Sequence, residues 1–356
     1  MPAEREPHGA VVRLVDRHPA LDRDRLLADL VPPPRFASVS FESYHPDPNQ
    51  PSQAVAVERL RRFAASVAET SDTSSGWRRL LGRGGSNRGP SCEPAGVYLD
   101  GGFGVGKTHL LASLWRAVPG PKAFGTFVEF TNLVGALGFR DAVEALSASR
   151  LVCIDEFELD DPGDTVLMAR LLRELVDGGT RLAATSNTLP EALGEGRFAA
   201  EDFLREIQAV ASHFEVVRID GEDYRHRGLP DPPEPLPDDA LVTAALHRPG
   251  TALDEFDDLV RHLATVHPSR YGSLLDGVTG VAWRGVETVR DQAVALRLVV
   301  LADRIYDRDV PLLVGGDGLA DLFPPEMLAG GYRKKYRRAL SRLTALAREG
   351  RDALRS

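Results

Sequence analysis

Eight consecutive residues combine glycines with a lysine and a threonine. Residues 101–108 read G-G-F-G-V-G-K-T, which follows the pattern G-x-x-x-x-G-K-[ST]. Glycines in such a loop let successive backbone N–H groups curl around phosphate oxygens at the positive end of a helix. Lys107 would reach β- and γ-phosphates, and Thr108 would offer its hydroxyl to a Mg²⁺ ion. The pattern predicts a nucleotide-binding loop made of Gly101, Gly102, Phe103, Gly104, Val105, Gly106, Lys107, Thr108 and His109.

The sequence on either side of this loop predicts the two elements that such a loop joins. Residues 95–100 are a short apolar run, typical of a buried parallel strand. Residues 109–115 have the composition and apolar spacing of a helix. The alternative is a glycine-rich turn that matches by chance, and the order strand, loop, helix argues against it.

Two carboxylates come directly after another apolar run. Residues 151–154 are apolar, and Asp155 and Glu156 follow them. At the end of a buried strand, Asp155 would hold Mg²⁺ through the water shell of the ion, and Glu156 would orient and polarise the attacking water as the base. The alternative is an acidic helix N-terminus after a core strand, because acidic side chains are favoured there.

A polar side chain also ends the strand predicted over residues 181–187. Asn187 would lie beside the γ-phosphate and hold the attacking water, which makes Lys107, Glu156 and Asn187 the predicted catalytic residues. Further strands are predicted over 127–130 and 214–219, with helices between them. Such alternation predicts a parallel sheet covered by helices on both faces.

Length and composition restrict the class of protein. A chain of 356 residues with 43% hydrophobic residues is expected to fold into two or three globular domains. The net charge of −9 argues weakly against nucleic acid as the partner. Cys92 and Cys153 are not expected to pair, and the N-terminus lacks an apolar signal core, so the cytoplasm is the expected compartment.

Shifts in composition predict five segments. An N-terminal accessory arm covers 1–35, and 36–94 contains an adenine-side segment followed by a basic loop over residues 70–92. The core with the phosphate loop covers 95–228. Residues 229–245 are acidic and proline-rich and are predicted to be a linker. Residues 246–356 form a C-terminal domain, in which a helix is predicted over residues 253–267 and a basic helix near the end.

Several short motifs resemble the ZapE family of AAA+ ATPases, whose mitochondrial relatives are the AFG-type ATPases. The resemblance extends from about residue 36 to about residue 347. It is carried by the following groups: Asp155-Glu156-Phe157, Asp161, Asp164, Arg170-Leu171-Leu172, Thr185-Ser186-Asn187, Arg297 to Tyr306 with Asp307, and Arg338-Ala339-Leu340-Ser341-Arg342-Leu343.

The resemblance implies an α/β fold, namely the three-layer P-loop NTPase sandwich of AAA+ proteins with a parallel sheet. The residues themselves predict a mostly helical C-terminal region with a small strand-helix-strand unit, in which 281–284 and 310–316 are strands and 295–303 is a helix. The resemblance also implies ATP and Mg²⁺ as ligands, ATP hydrolysis, a homo-oligomer, and a role in cell division with the division-ring tubulin homologue as the protein partner. Composition and spacing alone imply none of this partner biology.

The sequence departs from the family at one position. The family usually has an arginine in the segment after the asparagine strand, where it would reach the nucleotide of a neighbouring subunit. In this chain Ala200 stands there, and Arg197 and Arg205 flank it as possible arginine fingers. Arg338 and Arg342 in the basic C-terminal helix are possible lid arginines that face the nucleotide.

Three classes of function remain open on the sequence. An ATPase that remodels or regulates a protein partner agrees best with the loop, the two acids and Asn187. A DNA-binding replication initiator or helicase loader shares the Gly-Lys-Thr-His-Leu sequence of the loop, and it would use the basic loop and the basic terminal helix. A scaffold that binds ATP without turnover is the third class.

Overall fold

The computed structural model describes residues 12–20, 23–69, 94–102, 104–157, 162–188, 208–209, 211–221 and 231–355. The chain divides into two compact units. We call Asp22–Arg227 the core unit, and Met1–Leu21 together with Gly228–Ser356 the split unit. No helix in the described ranges is long and apolar enough to cross a membrane.

The core unit is built on a five-stranded parallel sheet with the order β2-β3-β4-β1-β5. Its strands are β1 (Gly96–Gly101), β2 (Lys122–Thr126), β3 (Leu151–Asp155), β4 (Arg181–Ser186) and β5 (Phe214–Ile219). Its helices are α1 (Arg23–Ala28), α2 (Pro51–Glu69), α3 (Lys107–Ala117), α4 (Phe127–Leu137), α5 (Phe139–Ser147) and α6 (Pro162–Asp177).

Helices cover both faces of this sheet. Along β1, Val97 and Leu99 pack into a cluster with α2 and α3, whereas Tyr98 packs into a second cluster with α4, α5 and α6. Every residue of β1 is buried, as expected for a central strand whose successive side chains point to opposite covered faces. The predicted three-layer sandwich around a parallel sheet is confirmed. Because parallel strands end at the same edge, the residues after β1, β3 and β4 lie together.

The split unit has a smaller parallel sheet with the order β6-β7-β8. Its strands are β6 (Thr251–Glu255), β7 (Gly280–Val286) and β8 (Leu312–Gly316). Its helices are α7 (Asp238–Leu246), α8 (Phe256–Leu263), α9 (Tyr271–Leu274), α10 (Gln292–Asp307), α11 (Pro325–Ala329) and α12 (Arg333–Ala353). The predicted strand-helix-strand unit corresponds to β7, α10 and β8, and β6 is a third strand of the same sheet.

Residues 12–20 pack against the edge of this sheet at β6. Val12 forms a parallel bridge with Ala252 of β6. The backbone N–H groups of Leu14 and Val15 donate to the carboxylate of Asp254 at 3.0 and 3.2 Å. The segment therefore differs from the predicted arm 1–35, whose later part, residues 23–35, lies in the core unit. The linker predicted over 229–245 also differs from the structure, because most of helix α7 lies within that range.

Two strand and helix predictions are wrong. The strand predicted over 127–130 is the first turn of α4, because Thr126 and Glu129 form a reciprocal capping box that starts a helix there. The strand is instead β2, which ends at Thr126. The helix predicted over 253–267 begins later, at Phe256, because the residues before it form β6.

Candidate functional site

The phosphate loop connects β1 to α3 and depends on two glycines in left-handed conformations. Gly104 has φ 76° and Gly106 has φ 87°, a region that residues with a Cβ atom adopt only with strain. A Cβ atom on Gly106 would also lie 2.6 Å from Cε2 of Tyr44. Glycine is therefore strongly favoured at these positions, because a side chain would strain this path of the backbone. Phe103 lies outside the described residues.

The ammonium group of Lys107 lies between the loop and the end of β4. Its Nζ donates to the carbonyl oxygens of Gly101 at 2.7 Å and Gly102 at 2.5 Å, and to Oδ1 of Asn187 at 2.8 Å. The structure thus brings the predicted phosphate-binding lysine and the predicted water-holding amide into direct contact. The two side chains come from elements that lie 80 positions apart in the chain.

Asp155 forms the acidic side of the same site. The hydroxyl of Thr108, in the first turn of α3, donates to Oδ2 of Asp155 at 2.9 Å and lies 3.2 Å from Oδ1. Asp155 is 6% exposed, so its carboxylate depends on protein donors in place of water. Two hard oxygen ligands, one in the first turn of α3 and one at the end of β3, are a donor set that fits Mg²⁺.

Glu156 follows Asp155 and has φ 53°, a left-handed conformation that is uncommon for a residue with a side chain. Its backbone N–H donates to Oγ1 of Thr185 at 3.0 Å, and the N–H of the next residue, Phe157, donates to the carbonyl oxygen of Thr185 at 2.7 Å. Phe157 is fully buried. Neighbouring groups therefore hold the backbone of the predicted base in this conformation, as is often found at functional sites.

Asn187 is held on both sides. The N–H of Thr188 donates to Oγ of Ser186 at 3.1 Å, and the hydroxyl of Tyr98 donates to the carbonyl oxygen of Thr188 at 2.8 Å. Since Tyr98 is fully buried in β1, the turn that carries Asn187 is anchored to the strand that carries the phosphate loop.

A segment near the start of the core unit covers the first turn of α3. Nε2 of His109 lies 3.0 Å from Oγ of Ser43 and 3.2 Å from the carbonyl oxygen of Ser40. Burial lowers the pKa of His109. The hydroxyl of Tyr44 donates to the carbonyl oxygen of Val105 at 2.9 Å. These contacts place residues 40–44 against the loop. The residues form turns and not the predicted extended segment. Their adenine-side role stays a prediction.

Sequence reasoning did not assign roles to Tyr44, Tyr98 or Thr185. A buried tyrosine in a core strand has no local signal, because its partner, Thr188, lies 90 positions away. Thr185 was visible only as part of the Thr185-Ser186-Asn187 motif.

The candidate arginines divide into two groups. Arg197 and Arg205 lie outside the described residues, as does the basic loop 70–92. Arg338 and Arg342 lie on α12 of the split unit, and both contact the carboxylate of Asp303 on α10; the distance from Arg338 Nη2 is 2.9 Å. Their role as lid arginines stays a prediction.

The chain is similar to proteins from bacteria and eukaryotes. Cell division protein ZapE of Escherichia coli (strain K12) is 28% identical over 201 residues, which are 52% of this chain and 54% of ZapE. Lactation elevated protein 1 homolog B of Danio rerio is 26% identical over 159 residues, which are 38% of this chain and 32% of that protein. The chain thus spans about half the length of ZapE. Among solved structures, the crystal structure of DnaI superposes with a TM-score of 0.38 and 18% identity, covering 52% of this chain and 94% of DnaI.

The family model of the AFG1-like ATPases matches residues 21–249 and 242–352. These ranges contain the phosphate loop, both acidic residues and Asn187, together with the sheet of the split unit. On this match, the chain belongs to the AFG1-like ATPase family.

Proposed function

We propose that the protein binds ATP with Mg²⁺ and hydrolyses the bond between its β- and γ-phosphates. One observation carries this proposal: the side chains of Lys107, Thr108, Asp155 and Asn187 converge at the carboxyl ends of three adjacent parallel strands. A bound triphosphate requires a cation for its phosphates, oxygen ligands for the metal ion and a polar group that holds the attacking water, and these four side chains provide them.

The residues of the chain would bind the substrate as follows. Lys107 exchanges its contacts with the loop carbonyls and Asn187 for the β- and γ-phosphates. Thr108 and Asp155 would hold Mg²⁺. When bound, Mg²⁺ neutralises charge on the phosphate oxygens. The backbone N–H groups of the loop complete the binding of the anion.

In the hydrolytic step, Asn187 orients a water molecule in line with the γ-phosphorus. The water oxygen forms a bond to phosphorus, the bond from phosphorus to the bridging oxygen breaks, and ADP leaves with the electron pair. Glu156 accepts the proton from the water, and the products are ADP and inorganic phosphate. A base must be held within hydrogen-bond reach of the water. The hydrogen bonds that anchor the backbone of Glu156 restrict the position of its side chain, and this supports the role of Glu156 as the base.

Arginines from outside the site would complete it. We propose that Arg197 or Arg205 reaches the γ-phosphate of a neighbouring subunit in a homo-oligomer, and that Arg338 and Arg342 act as lid arginines in a nucleotide-bound state. A further proposal concerns the partner. The printed name of the relative, Cell division protein ZapE, supports a role in cell division. We propose that the protein acts in the cytoplasm on a protein partner such as the division-ring tubulin homologue.

Release of inorganic phosphate, measured with and without Mg²⁺, tests the proposed reaction. Glu156→Gln should still bind ATP and lose about 10²- to 10⁴-fold in turnover, because an amide cannot take the proton from water. Lys107→Ala should not bind ATP. Glu58→Gln, an exposed glutamate on α2, and Lys334→Ala in the split unit are matched controls that should behave as wild type. Turnover near wild type in Glu156→Gln would show that the base lies elsewhere.

A further inference from the structure

The hydroxyl of Thr185 links the two acidic residues of the site. It donates to Oδ1 of Asp155 at 2.5 Å and accepts the backbone N–H of Glu156 at 3.0 Å. Thr185 lies on β4, whereas both acidic residues belong to β3 and the turn after it. One side chain on the strand that leads to Asn187 therefore contacts the predicted metal ligand and the backbone of the predicted base.

The hydroxyl of Thr185 acts as a donor to one partner and as an acceptor from the other. A threonine has one O–H hydrogen to donate, and here Asp155 receives it, so the oxygen is left to accept from Glu156. Thr185 is 2% exposed. Because bulk water does not reach this position, loss of the hydroxyl would remove one buried donor to Asp155 and the acceptor that Thr185 offers to the N–H of Glu156.

The geometry around Asp155 connects Thr185 to metal binding. Thr108 approaches the carboxylate mainly at Oδ2, and Thr185 approaches it at Oδ1. The hydroxyl of Thr108 on α3 and the hydroxyl of Thr185 on β4 each bind one oxygen of the Asp155 carboxylate, and together they restrict its rotation. Groups that hydrogen-bond to a metal ligand commonly change metal affinity or activity by about 10- to 100-fold when they are removed.

We propose that Thr185 is a positioning residue that orients Asp155 toward Mg²⁺ and holds the backbone of Glu156 in its left-handed conformation. The proposal rests on the proposed function of the site. It predicts that metal affinity and turnover depend on the hydroxyl, while the fold depends mainly on the shape of the side chain.

Thr180 provides a matched control. It precedes β4 at the opposite end, is 3% exposed, and donates its hydroxyl to the carbonyl oxygen of Ser149 at 3.0 Å. Valine at either position removes a buried hydroxyl, in one case just before β4 and in the other within β4. The volume of the side chain stays similar in both variants. Only the change at Thr185 removes a contact with the acidic residues, so the comparison separates a general effect on the core from an effect on the site.

The test measures binding of Mn²⁺, a spectroscopic substitute for Mg²⁺, by electron paramagnetic resonance of the full chain with a non-hydrolysable ATP analogue. Thr185→Val should bind Mn²⁺ about 10- to 100-fold more weakly than wild type and require correspondingly more Mg²⁺ for half-maximal phosphate release. Thr185→Ser, which keeps the hydroxyl, should restore Mn²⁺ affinity to within a few-fold of wild type. Thr180→Val should bind Mn²⁺ as wild type does.

Wild-type Mn²⁺ affinity in folded Thr185→Val would overturn the proposal, as would equal losses in Thr185→Val and Thr180→Val. If Thr185→Val does not fold, Thr185→Ala takes its place with the same expected loss. A wild-type protein that binds Mn²⁺ and the analogue but releases no phosphate from ATP would instead count against the proposed hydrolysis. That result would leave the metal measurement valid as a test of Thr185.

Discussion

Substitution of Asp303 by asparagine should destabilise the split unit, because Asp303 neutralises two arginines in a largely buried place. The side chains of Asp303, Arg338 and Arg342 are 19%, 10% and 16% exposed. Removing one partner of a buried ion pair leaves uncompensated charge and costs about 3 to 5 kcal/mol. Asparagine keeps one acceptor oxygen and the site is not fully dry, so we expect about 3 kcal/mol, the lower end of that range.

Thermal unfolding followed by differential scanning calorimetry measures this change. For a unit of this size, about 3 kcal/mol corresponds to a decrease of roughly 10 °C in melting temperature. Asp257→Asn is the control, because its pair with Arg261 on α8 is exposed on both sides, at 64% and 67%. That change should alter stability by less than about 0.5 kcal/mol.

The pH dependence gives a second measurement on the same variant. Although burial alone would raise it, the guanidinium groups of Arg338 and Arg342 hold the pKa of Asp303 below its usual value. A lowered folded-state pKa contributes stability above the unfolded-state pKa of about 4, and this stability is lost as pH falls through the folded-state pKa. The difference between wild type and Asp303→Asn should therefore shrink below about pH 4. Equal stability of the two proteins at pH 7 would refute the assigned role of Asp303.

Two further predictions concern the nucleotide site. Gly106→Ala should weaken nucleotide binding at least tenfold, because alanine at φ 87° is strained by about 1 to 2 kcal/mol and its Cβ would collide with Tyr44. Gly135→Ala on α4 is the control in a fluorescent-nucleotide titration, because the added Cβ would meet nothing within 4 Å beyond its chain neighbours and the backbone of its own helix. If a neighbouring subunit supplies an arginine finger, specific ATPase activity should rise with protein concentration, and Arg197→Ala or Arg205→Ala should lower turnover about 10³- to 10⁵-fold with ATP binding retained. Activity independent of concentration and of both arginines would indicate that the protein acts as a monomer.

The sequence predicted the parts of the site that depend on contiguous residues. The loop from Gly101 to Thr108 carries its own glycine positions, and Asp155 and Asn187 each end an apolar run. The carboxyl ends of parallel strands lie at the same edge of a sheet. The apolar runs were therefore enough to predict that the polar residues that follow them lie close together. The three layers of the core unit followed from the same alternation of strands and helices.

The parts of the fold that the sequence did not predict depend on contacts between distant positions or on the cap of a helix. β6 is only five residues long and contains Asp254, whose carboxylate binds backbone groups about 240 positions earlier in the chain. No local pattern shows that such an acid belongs in a strand, so the segment was predicted to be helical. The strand prediction over residues 127–130 failed for a different reason. Its apolar residues suit either element, and the capping box of Thr126 and Glu129 decides for a helix.

The docking of residues 12–20 on β6 has a consequence for the order in which the protein folds during synthesis. The ribosome makes these residues before the core unit, but the strands and helices that bind them lie in Gly228–Ser356. At 5 to 20 residues per second, synthesis of this last part takes roughly 6 to 26 s. The whole core unit can emerge and fold in the meantime. Leu14, which is fully buried in the folded split unit, therefore lacks its binding partners until Gly228–Ser356 has been made.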